Sequence, residues 1–399
     1  MNISKACYSH KLVIGIDGNE ANQQNRVGVG QFAYNVIDQL EKIDRNNSYT
    51  IYLKDKPLSD LPKERSGWKY LVFGPSKLWT QLALPFKLFT QKEKIDIFYS
   101  PSHYSPRFSP VPTVISIMDL WHHRHPEQFN KKDLYQLTKW ESYSVKQASH
   151  IITISEFSKK EILDIYKIPE DKITVAYPGF NKFKVPSRRD SPEGASSKFK
   201  VEELRKKYKI EGNYLLYLGT LQPKKNLVRL IETFNILNTK YKIQNTNLVI
   251  AGKKGWMFGK IFELVRELGL EQKVIFTGFI SEEEKPYLIA GAKAFILPSF
   301  YEGFGIPVLE AMSLGVPVIA SKEGSLPEAG GKAVTYCDPY SVESMSEAIR
   351  KVLDLNEKQR DEIIKEGKRQ TEKFSWQKCA QKVLEVVGGT KRKDVKESC

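Results

Sequence analysis

The stretch LPSFYEGFGIPVLEAMSLGVPVIAS, residues 297–321, decides the fold of this chain. It predicts a strand that ends at Leu297, a turn from Pro298 to Phe304, a helix up to about Leu314 and a second strand from Val316 to Ala320. Strand, helix and strand in this order form half of a parallel α/β unit. Open α/β sheets bind their ligands beyond the carboxyl ends of the strands, where this turn lies. We therefore expect a ligand site here.

Two acidic residues stand out in this stretch. The predicted helix is apolar on nearly every side but carries Glu310 in its middle, and Glu302 lies eight positions earlier on the turn. A buried carboxylate without a partner is costly, so Glu310 needs one. We expect both acids to face one cavity, beside the backbone N–H groups of the first helical turn near Phe304, Gly305 and Ile306. These donors and the helix dipole suit an anionic ligand.

The spacing of the two acids is shared with a known family. Glu302, seven intervening residues and Glu310 within EGFGIPVLEA, followed by GVPVIAS, resemble the paired-glutamate signature of the family-4 (group 1) retaining glycosyltransferases. The resemblance implies the GT-B fold, an α/β fold with two Rossmann-like doubly wound domains facing a central cleft. In that family the first Glu lies beside the donor sugar and the second hydrogen-bonds to the nucleotide ribose. Loop amides hold the sugar hydroxyls and phosphate.

Length and composition fit this organisation. A chain of 399 residues with 41% apolar residues can form two domains with large cores. We expect an N-terminal acceptor-side domain over residues 1–185, a flexible linker over 186–211, a nucleotide-sugar-binding domain over 212–372, and a returning helix with a basic tail over 373–399. The linker is rich in Pro, Ser, Gly and charge. ITISEFSKKEI and VAYPGF resemble the end of the family's first domain. FSWQKCAQKVLEVV resembles its terminal helix, and GGTKRKDVKESC after it is expected to be disordered.

The composition also argues against several classes of protein. No stretch approaches the roughly 18 apolar residues of a membrane-spanning helix. The sequence up to Asp17 predicts a short polar segment followed by a strand, rather than a signal peptide. The four cysteines lie far apart and form no CxxC pair, which predicts reduced thiols in a cytoplasmic protein.

The net charge of +15 has three interpretations: a nucleic-acid partner, an anionic membrane surface, or a lysine-rich solvated exterior. The chain has no known nucleic-acid-binding module, so we expect no nucleic acid. Membrane contact on the inner face fits the predicted helix KLWTQLALPFKLFTQKEK, residues 77–94, with its lysines and Trp79, Phe86 and Phe89. The same aromatic residues also suit a helix that packs on the core.

The glycine-rich start of the first predicted helix has competing interpretations. Gly28, Gly30 and Ala33 match the GxGxxA pattern of dinucleotide-binding proteins. They come too late after the first strand for the tight turn of that motif, which argues against an NAD-linked oxidoreductase. In the glycosyltransferase interpretation, Gly28 and Gly30 let backbone N–H groups approach the diphosphate or the acceptor. The alternative is a flexible loop before a helix.

In the second half, the loop GTLQPKKN follows a predicted strand. Lys225 is our candidate for the cation that stabilises the negative charge developing on the leaving diphosphate. In the family a basic pair at this loop holds the donor diphosphate. This chain has Lys224 and Lys225 where Arg-Lys is common, and Thr220 where some members place an Arg. A solvent-exposed lysine is the alternative. We expect the loops that follow later in this half to surround the nucleotide base, with the backbone near Phe279 recognising the edge of the base.

The loop MDLWHHRHPEQF holds Asp119, His122, His123 and His125. The histidines are poorly spaced on one loop and no downstream Cys/His set appears, so we predict no zinc site. Many family members place a sugar-contacting His immediately before the Asp, whereas this chain has Met118. We expect Asp119 to act as a base toward the acceptor hydroxyl or as electrostatic partner of an oxocarbenium ion. The alternative is that it caps the loop.

Together these residues predict an enzyme that transfers a hexose from a nucleotide-diphosphate-sugar of the GDP-mannose type. The acceptor is expected to be a glycan or lipid-linked glycan of surface polysaccharide synthesis, at the cytoplasmic side of a membrane. The chain has no Asp-x-Asp motif, so we expect no metal at the diphosphate and no cofactor beside the donor substrate. The alternative is a non-catalytic nucleotide-sugar or polyanion binding protein on the same scaffold, which Met118 favours.

Overall fold

The computed structural model describes residues 11–183, 193–241, 243 and 245–397. The chain divides into two units, the first comprising Met1–Gly179 with Ser375–Cys399 and the second Phe180–Phe374. The domain borders expected from the sequence, at residues 185 and 372, lie within a few residues of these divisions.

The first unit is built on seven parallel strands whose side chains are mostly buried. In chain order these are β1 (Val13–Asp17), β2 (Ser48–Leu53), β3 (Trp68–Val72), β4 (Ile97–Ser100), β5 (Thr113–Ile117), β6 (His150–Thr153) and β7 (Ile173–Val175). They pair in the order β3-β2-β1-β4-β5-β6-β7. Strands buried on both faces are continuous apolar runs, which is the pattern of VIGID and TVISI.

The second unit repeats this design with six parallel strands. These are β8 (Asn213–Leu218), β9 (Thr246–Ala251), β10 (Val274–Gly278), β11 (Ala294–Leu297), β12 (Val318–Ser321) and β13 (Val334–Cys337). Their order is β10-β9-β8-β11-β12-β13. In each unit the strand order reverses beside the first strand, at β1/β4 and at β8/β11, as in Rossmann folds. The prediction of two Rossmann-like doubly wound α/β domains is confirmed.

Helices connect the strands. They are α1 (Val29–Ile43), α2 (Leu84–Thr90), α3 (Trp121–Arg124), α4 (Lys131–Tyr135), α5 (Glu141–Gln147), α6 (Glu156–Tyr166), α7 (Glu193–Lys207), α8 (Leu227–Thr239), α9 (Gly259–Glu267), α10 (Lys285–Ala290), α11 (Ile306–Ser313), α12 (Leu326–Gly330), α13 (Val342–Leu353), α14 (Glu357–Thr371) and α15 (Trp376–Glu397). Two π-helical segments, Trp79–Ala83 and Gln136–Trp140, continue directly into α2 and α5.

Helix α7 corrects the predicted linker. Residues 193–207 are helical, whereas residues 186–192 of the expected linker lie outside the described residues. The reason is local: VEELRKK consists largely of good helix formers, and Leu204 gives this segment a buried anchor. The disordered tail expected after Val387 is also wrong as far as Glu397, because α15 continues to that residue.

The segment 77–94 is helical only between residues 79 and 90. Pro85 lies where the π-helical segment passes into α2, and its missing N–H removes one helical donor at this junction. Trp79 is 4% exposed and its Nε1 donates to the carbonyl of Phe73 at 3.0 Å. Of the two interpretations of this helix, packing on the core is therefore confirmed for Trp79, and membrane contact is wrong for it. Phe86 and Phe89 are exposed.

The C-terminal helix α15 packs on α1 within the first unit. The rings of Phe32 and Trp376 lie 6.2 Å apart in an edge-on arrangement. Gly179 passes so close to this helix that a Cβ on it would lie 2.0 Å from the backbone N of Trp376. Cys337 and Cys379 are buried free thiols.

We expect Gly179→Ala to destabilise the protein by about 1–3 kcal/mol, because the added methyl group must displace the backbone of α15. Gly389→Ala is the matched control. It lies within α15 with no atom within 4 Å of its Cβ, so it should stabilise the helix by about 0.5–1 kcal/mol. Urea unfolding measures both. A Gly179→Ala protein as stable as wild type would contradict the close approach.

Candidate functional site

Glu302 lies on the loop between β11 and α11 and is 8% exposed. Its Oε1 and Oε2 accept hydrogen bonds from Nζ of Lys225 at 2.6 and 2.8 Å, and Oε1 also accepts from Oγ of Ser299 at 2.6 Å. Lys225 ends a short 3₁₀ turn after β8, the strand that pairs with β11. Two predicted site residues, 77 positions apart, therefore form a direct ion pair that the sequence analysis did not anticipate.

The backbone around this pair is held by further hydrogen bonds. Asn226 has a left-handed backbone conformation, and its Nδ2 donates to the carbonyls of Pro298 at 3.0 Å and Pro339 at 2.8 Å. Oγ of Ser325 donates to the carbonyl of Glu302 at 2.8 Å. The loops after β8 and β11 are thus fixed to each other at the point where the strand order reverses, and the ion pair is preorganised.

Glu310 is 3% exposed and also has a lysine partner. Lys285, the first residue of α10, places Nζ 2.8 Å from Oε1 of Glu310 and 2.9 Å from Oε2 of Glu282. Burial lowers the pKa of Lys285, but the two carboxylates more than reverse this and keep the pKa above its ordinary value. The sequence analysis required a partner for Glu310 and missed Lys285, because a lysine after three acids in SEEEKPY is typical of a solvated surface.

Helix α11 begins at Ile306, as the sequence predicts. Gly305 precedes it with φ +106°, and a Cβ there would lie 2.6 Å from Cδ2 of Leu326. Phe304 is buried, with its ring 5.2 Å from that of Phe374. The first N–H groups of a helix have no acceptor within the helix, so this end of α11 can donate to an anion.

The other predicted residues divide between the two units. In the first unit, Gly28 precedes α1 with φ +49°, and a Cβ on Gly30 would lie 3.0 Å from a backbone oxygen. Asp119 is half-buried and its Oδ1 accepts from the backbone N of Trp121 at 3.3 Å, which supports the loop-capping alternative.

In the second unit, the carbonyl of Thr220 accepts from the hydroxyl of Tyr217 at 3.3 Å. Lys224 accepts at its carbonyl from the backbone N of Phe300 at 2.9 Å. Phe279, directly after β10, is exposed. These three residues lie on the loops where the sequence analysis places the donor site.

Asp17 is a candidate that the sequence analysis did not single out. It ends the central strand β1, and its Oδ1 accepts from the backbone N and Nδ2 of Asn19 at 3.0 and 2.8 Å. Burial raises its pKa to about 6, although these hydrogen bonds act in the opposite direction. Its position at the end of KLVIGID was the available signal, because such strand ends carry ligand-binding groups in open α/β sheets.

A buried cluster in the first unit surrounds Glu141, which is 0% exposed. Nδ1 of His103 lies 2.9 Å from its Oε2, and Nε2 of His122 and of His123 lie 3.4 and 3.5 Å from its Oε1. Tyr166 donates its hydroxyl to Oε1 at 2.5 Å. Burial raises the pKa of Glu141, but the neighbouring imidazoles outweigh this and hold the pKa well below its usual range. The sequence analysis did not connect Glu141 with the histidines.

Comparison with known proteins identifies the family. Residues 27–182 match the model of Glycosyltransferase Family 4, and residues 200–370 match that of Glycosyl transferases group 1. The chain is 31% identical over 290 residues to O-antigen chain mannosyltransferase B of Escherichia coli, covering 72% of this chain and 73% of that protein. The chain belongs to the group 1 glycosyltransferases. The resemblance stated on the glutamate pair is confirmed, and this protein is a glycosyltransferase.

Further relatives of this glycosyltransferase agree. O-antigen chain mannosyltransferase RfbU of Salmonella typhimurium is 28% identical over 241 residues, which cover 60% of this chain and 61% of that protein. Anabaena HepE in complex with UDP and glucose superposes with a TM-score of 0.70 at 18% identity, covering 94% and 99% of the two chains. WaaG, a glycosyltransferase involved in lipopolysaccharide biosynthesis, gives 0.69 at 16% identity over 94% and 99%. The structural matches confirm the expected GT-B fold.

We expect Asp17→Asn to stabilise the protein at pH 7.5. Because the folded-state pKa is raised from 3.8 to about 6, the ionised carboxylate destabilises the fold above pH 6, by about 3 kcal/mol, and this cost is lost as the pH falls toward 4. The stability gain of the variant should therefore shrink between pH 6 and pH 4. Thermal unfolding across this range measures it.

The exposed Asp55→Asn variant in the same unit is the control, and it should change the melting temperature little at either pH. An Asp17→Asn protein that is less stable than wild type at pH 7.5 would show that the ionised carboxylate is a structural requirement of the β1 loop.

Proposed function

We propose that this glycosyltransferase transfers mannose from GDP-mannose, with retention of anomeric configuration, to a glycan or lipid-linked acceptor in surface polysaccharide synthesis. The observation that carries this proposal is the similarity to O-antigen chain mannosyltransferase B along 72% of this chain and 73% of that protein. A second similar protein is also named as an O-antigen chain mannosyltransferase. The retention is what the glutamate signature implies in this family.

The donor is proposed to bind the second unit at the Lys225–Glu302 pair. Glu302 holds the sugar hydroxyls and Lys225 holds the diphosphate. The ion pair supports these two roles because both carboxylate oxygens of Glu302 already hold the ammonium group of Lys225, at 2.6 and 2.8 Å. An incoming diphosphate can share that ammonium group, which releases carboxylate oxygens for the sugar. Little side-chain entropy is lost on binding, since the geometry exists beforehand.

In the proposed reaction the bond between the anomeric carbon and the diphosphate oxygen breaks, and its electron pair leaves with the phosphate. An acceptor hydroxyl attacks the same face through an oxocarbenium-like state, with Asp119 on the acceptor side as base. Lys225 and the N–H groups near Phe304 to Ile306 stabilise the charge that develops on the leaving diphosphate. The sequence has no Asp-x-Asp motif, which supports a transfer without metal at the diphosphate.

Glu310 is proposed to accept hydrogen bonds from the ribose hydroxyls of the nucleotide. Its Oε1 accepts from Lys285 at 2.8 Å. Burial raises the pKa of Glu310 above its ordinary value, and the neighbouring ammonium group of Lys285 acts in the opposite direction. An ionised carboxylate is a stronger acceptor for hydroxyl groups than a neutral acid. Lys285 is therefore proposed as a positioning residue that orients Glu310 and limits the rise of its pKa.

We expect Glu310→Ala to raise the KM for GDP-mannose about 10- to 100-fold, because hydrogen bonds to a charged group contribute about 1.5–3 kcal/mol. Lys225→Ala should instead lower kcat at least 10-fold, because it stabilises charge that develops on the leaving group. GDP release from GDP-mannose, with or without added acceptor, measures both constants.

Glu282→Ala is the control for Glu310→Ala, since it removes the other carboxylate on Lys285 and leaves the proposed ribose contact intact. Its KM should stay within a few-fold of wild type. Preference for UDP-glucose would contradict the donor, as HepE was solved with that sugar nucleotide. Binding of GDP-mannose without any turnover would instead support the non-catalytic alternative that Met118 favours.

The first unit carries an apolar stripe that we propose docks on an anionic membrane surface. Leu78, Leu82, Phe86 and Phe89 recur at helical spacing and are each more than half exposed. Four lysines lie in the same segment: Lys77, Lys87, Lys92 and Lys94. Apolar residues that insert into the interface, flanked by lysines that attract anionic headgroups, are the two elements of interfacial binding. No helix in the described parts of the chain is long and apolar enough to cross a bilayer.

We expect the triple variant Leu82→Ser, Phe86→Ser, Phe89→Ser to bind phosphatidylglycerol vesicles at least 10-fold more weakly than wild type, since each large side chain contributes about 1.5 kcal/mol or more on burial. Vesicle co-sedimentation measures this. Phe108→Ser, an equally exposed position outside the stripe, is the control. Equal binding of the triple variant and wild type would place the membrane contact elsewhere.

A further inference from the structure

The cluster around Glu141 is not used by the proposed transfer. Its members come from four separate segments of the first unit: His103 from the loop after β4, His122 and His123 from α3, Glu141 from α5 and Tyr166 from the end of α6. The potential ligand atoms of the two histidines and the glutamate all lie within 4.8 Å of one another. Two neutral imidazole nitrogens and a carboxylate oxygen are a common ligand set for zinc.

The two distances from Glu141 to the histidines fit a tetrahedral ion. Zinc–ligand bonds of about 2.0–2.2 Å at tetrahedral angles separate neighbouring ligand atoms by about 3.3–3.6 Å. Oε1 of Glu141 lies 3.4 Å from Nε2 of His122 and 3.5 Å from Nε2 of His123. These two separations exceed the usual length of a hydrogen bond and match the spacing of ligand atoms on one ion. The ligand atoms of the two histidines lie within 4.8 Å of each other.

Unsatisfied polar atoms point to the same conclusion. Nε2 of His122 and Oε2 of Glu141 are buried and make no hydrogen bond within the described part of the chain. Nδ1 of His103 is also buried there and lies 2.9 Å from Oε2 without the alignment of a hydrogen bond. Buried polar atoms without a hydrogen-bond partner are rare in folded proteins, and coordination of an ion is one way in which such atoms are satisfied.

The surroundings supply what a metal site needs beyond its first ligands. The hydroxyl of Tyr166 donates to Oε1 of Glu141 at 2.5 Å and lies 2.9 Å from Nε2 of His123, so it can orient the carboxylate or complete the coordination. The side chain of His123 is 21% exposed, which gives an ion a path from solvent. The remaining two ligands are almost fully buried.

We propose that His122, His123 and Glu141 bind one Zn²⁺ ion as a structural site of the first unit. The ion joins α3 to α5, and α3 begins two residues after Asp119. It thereby fixes the loop that carries the proposed acceptor-side carboxylate. This inference does not depend on the identity of the donor or acceptor. It differs from the prediction of no zinc site because that prediction considered histidines and cysteines, on the loop and downstream, and no carboxylate ligand.

Zinc titration tests the proposal. The full chain is treated with a chelator, desalted and titrated with ZnCl₂ in a calorimeter. After a second desalting, elemental mass spectrometry gives the number of zinc ions bound per chain. We expect one zinc ion per chain with a dissociation constant below micromolar. Co²⁺ in its place should give the visible absorption of a four-coordinate ion.

His123→Ala and Glu141→Gln should weaken zinc binding at least 100-fold, because each removes one of three ligands. His125→Ala is the matched control, since His125 lies on the same segment and its Nδ1 contacts Glu127 instead of the cluster. His125→Ala should bind zinc as wild type does. If Glu141→Gln fails to fold by circular dichroism, His123→Ala decides the question, because its partly exposed ring can be removed with less loss of packing.

Three outcomes would overturn the proposal. They are the absence of stoichiometric zinc on the wild-type chain, a His123→Ala protein that binds zinc with wild-type affinity, or an equal loss of zinc from His125→Ala. Tight binding of Fe²⁺ with no binding of Zn²⁺ would overturn the assignment of the ion. A zinc-dependent rise in melting temperature that His123→Ala abolishes would support the structural role directly.

Discussion

A carboxylate that is buried at the end of a parallel strand needs a positive charge beside it, and the second unit is arranged around this requirement. Removing Glu302 and Glu310 from water costs several kcal/mol each unless a cation and hydrogen bonds compensate. Lys225 and Lys285 supply the cations, one from the loop after β8 and one from α10. The ion pairs also preorganise two acceptors, and Glu302 lies on the loop where the strand order reverses, which is where α/β sheets bind ligands.

The first unit meets the same constraint in two different ways. Glu141 is fully buried, and three imidazoles and a tyrosine hydroxyl surround it, so its pKa lies well below the ordinary value. Asp17 accepts hydrogen bonds from Asn19, but burial outweighs them, so its pKa rises to about 6. The difference follows from the neighbours, since both acids are removed from water. Asp17 therefore gains a proton more readily than any ordinary aspartate, at the carboxyl end of the central strand.

Long segments with strong patterns could be predicted from the sequence, and side-chain partners could not. The run from Leu297 to Ser321 gave the correct strand, turn, helix and strand, because apolar runs bounded by glycine and proline leave few alternatives. The linker prediction failed over residues 193–207 because it weighed Pro, Ser and Gly content above the helix formers that follow. For Trp79 the sequence left a membrane position and a core position open, and only the structure decides for the core, since exposure depends on the opposing surface.

The sequence by itself determined two parallel α/β domains, the glutamate pair, the basic loop and the family. It did so because strand and helix periods and short motifs are local properties of the chain. Only the tertiary structure decided that Lys225 binds Glu302 across 77 positions, that Lys285 binds Glu310, and that His122 and His123 meet Glu141. Such contacts depend on which strands lie side by side and on the conformation of the loops beyond them. The spacing of two residues along the chain does not determine the distance between their side chains.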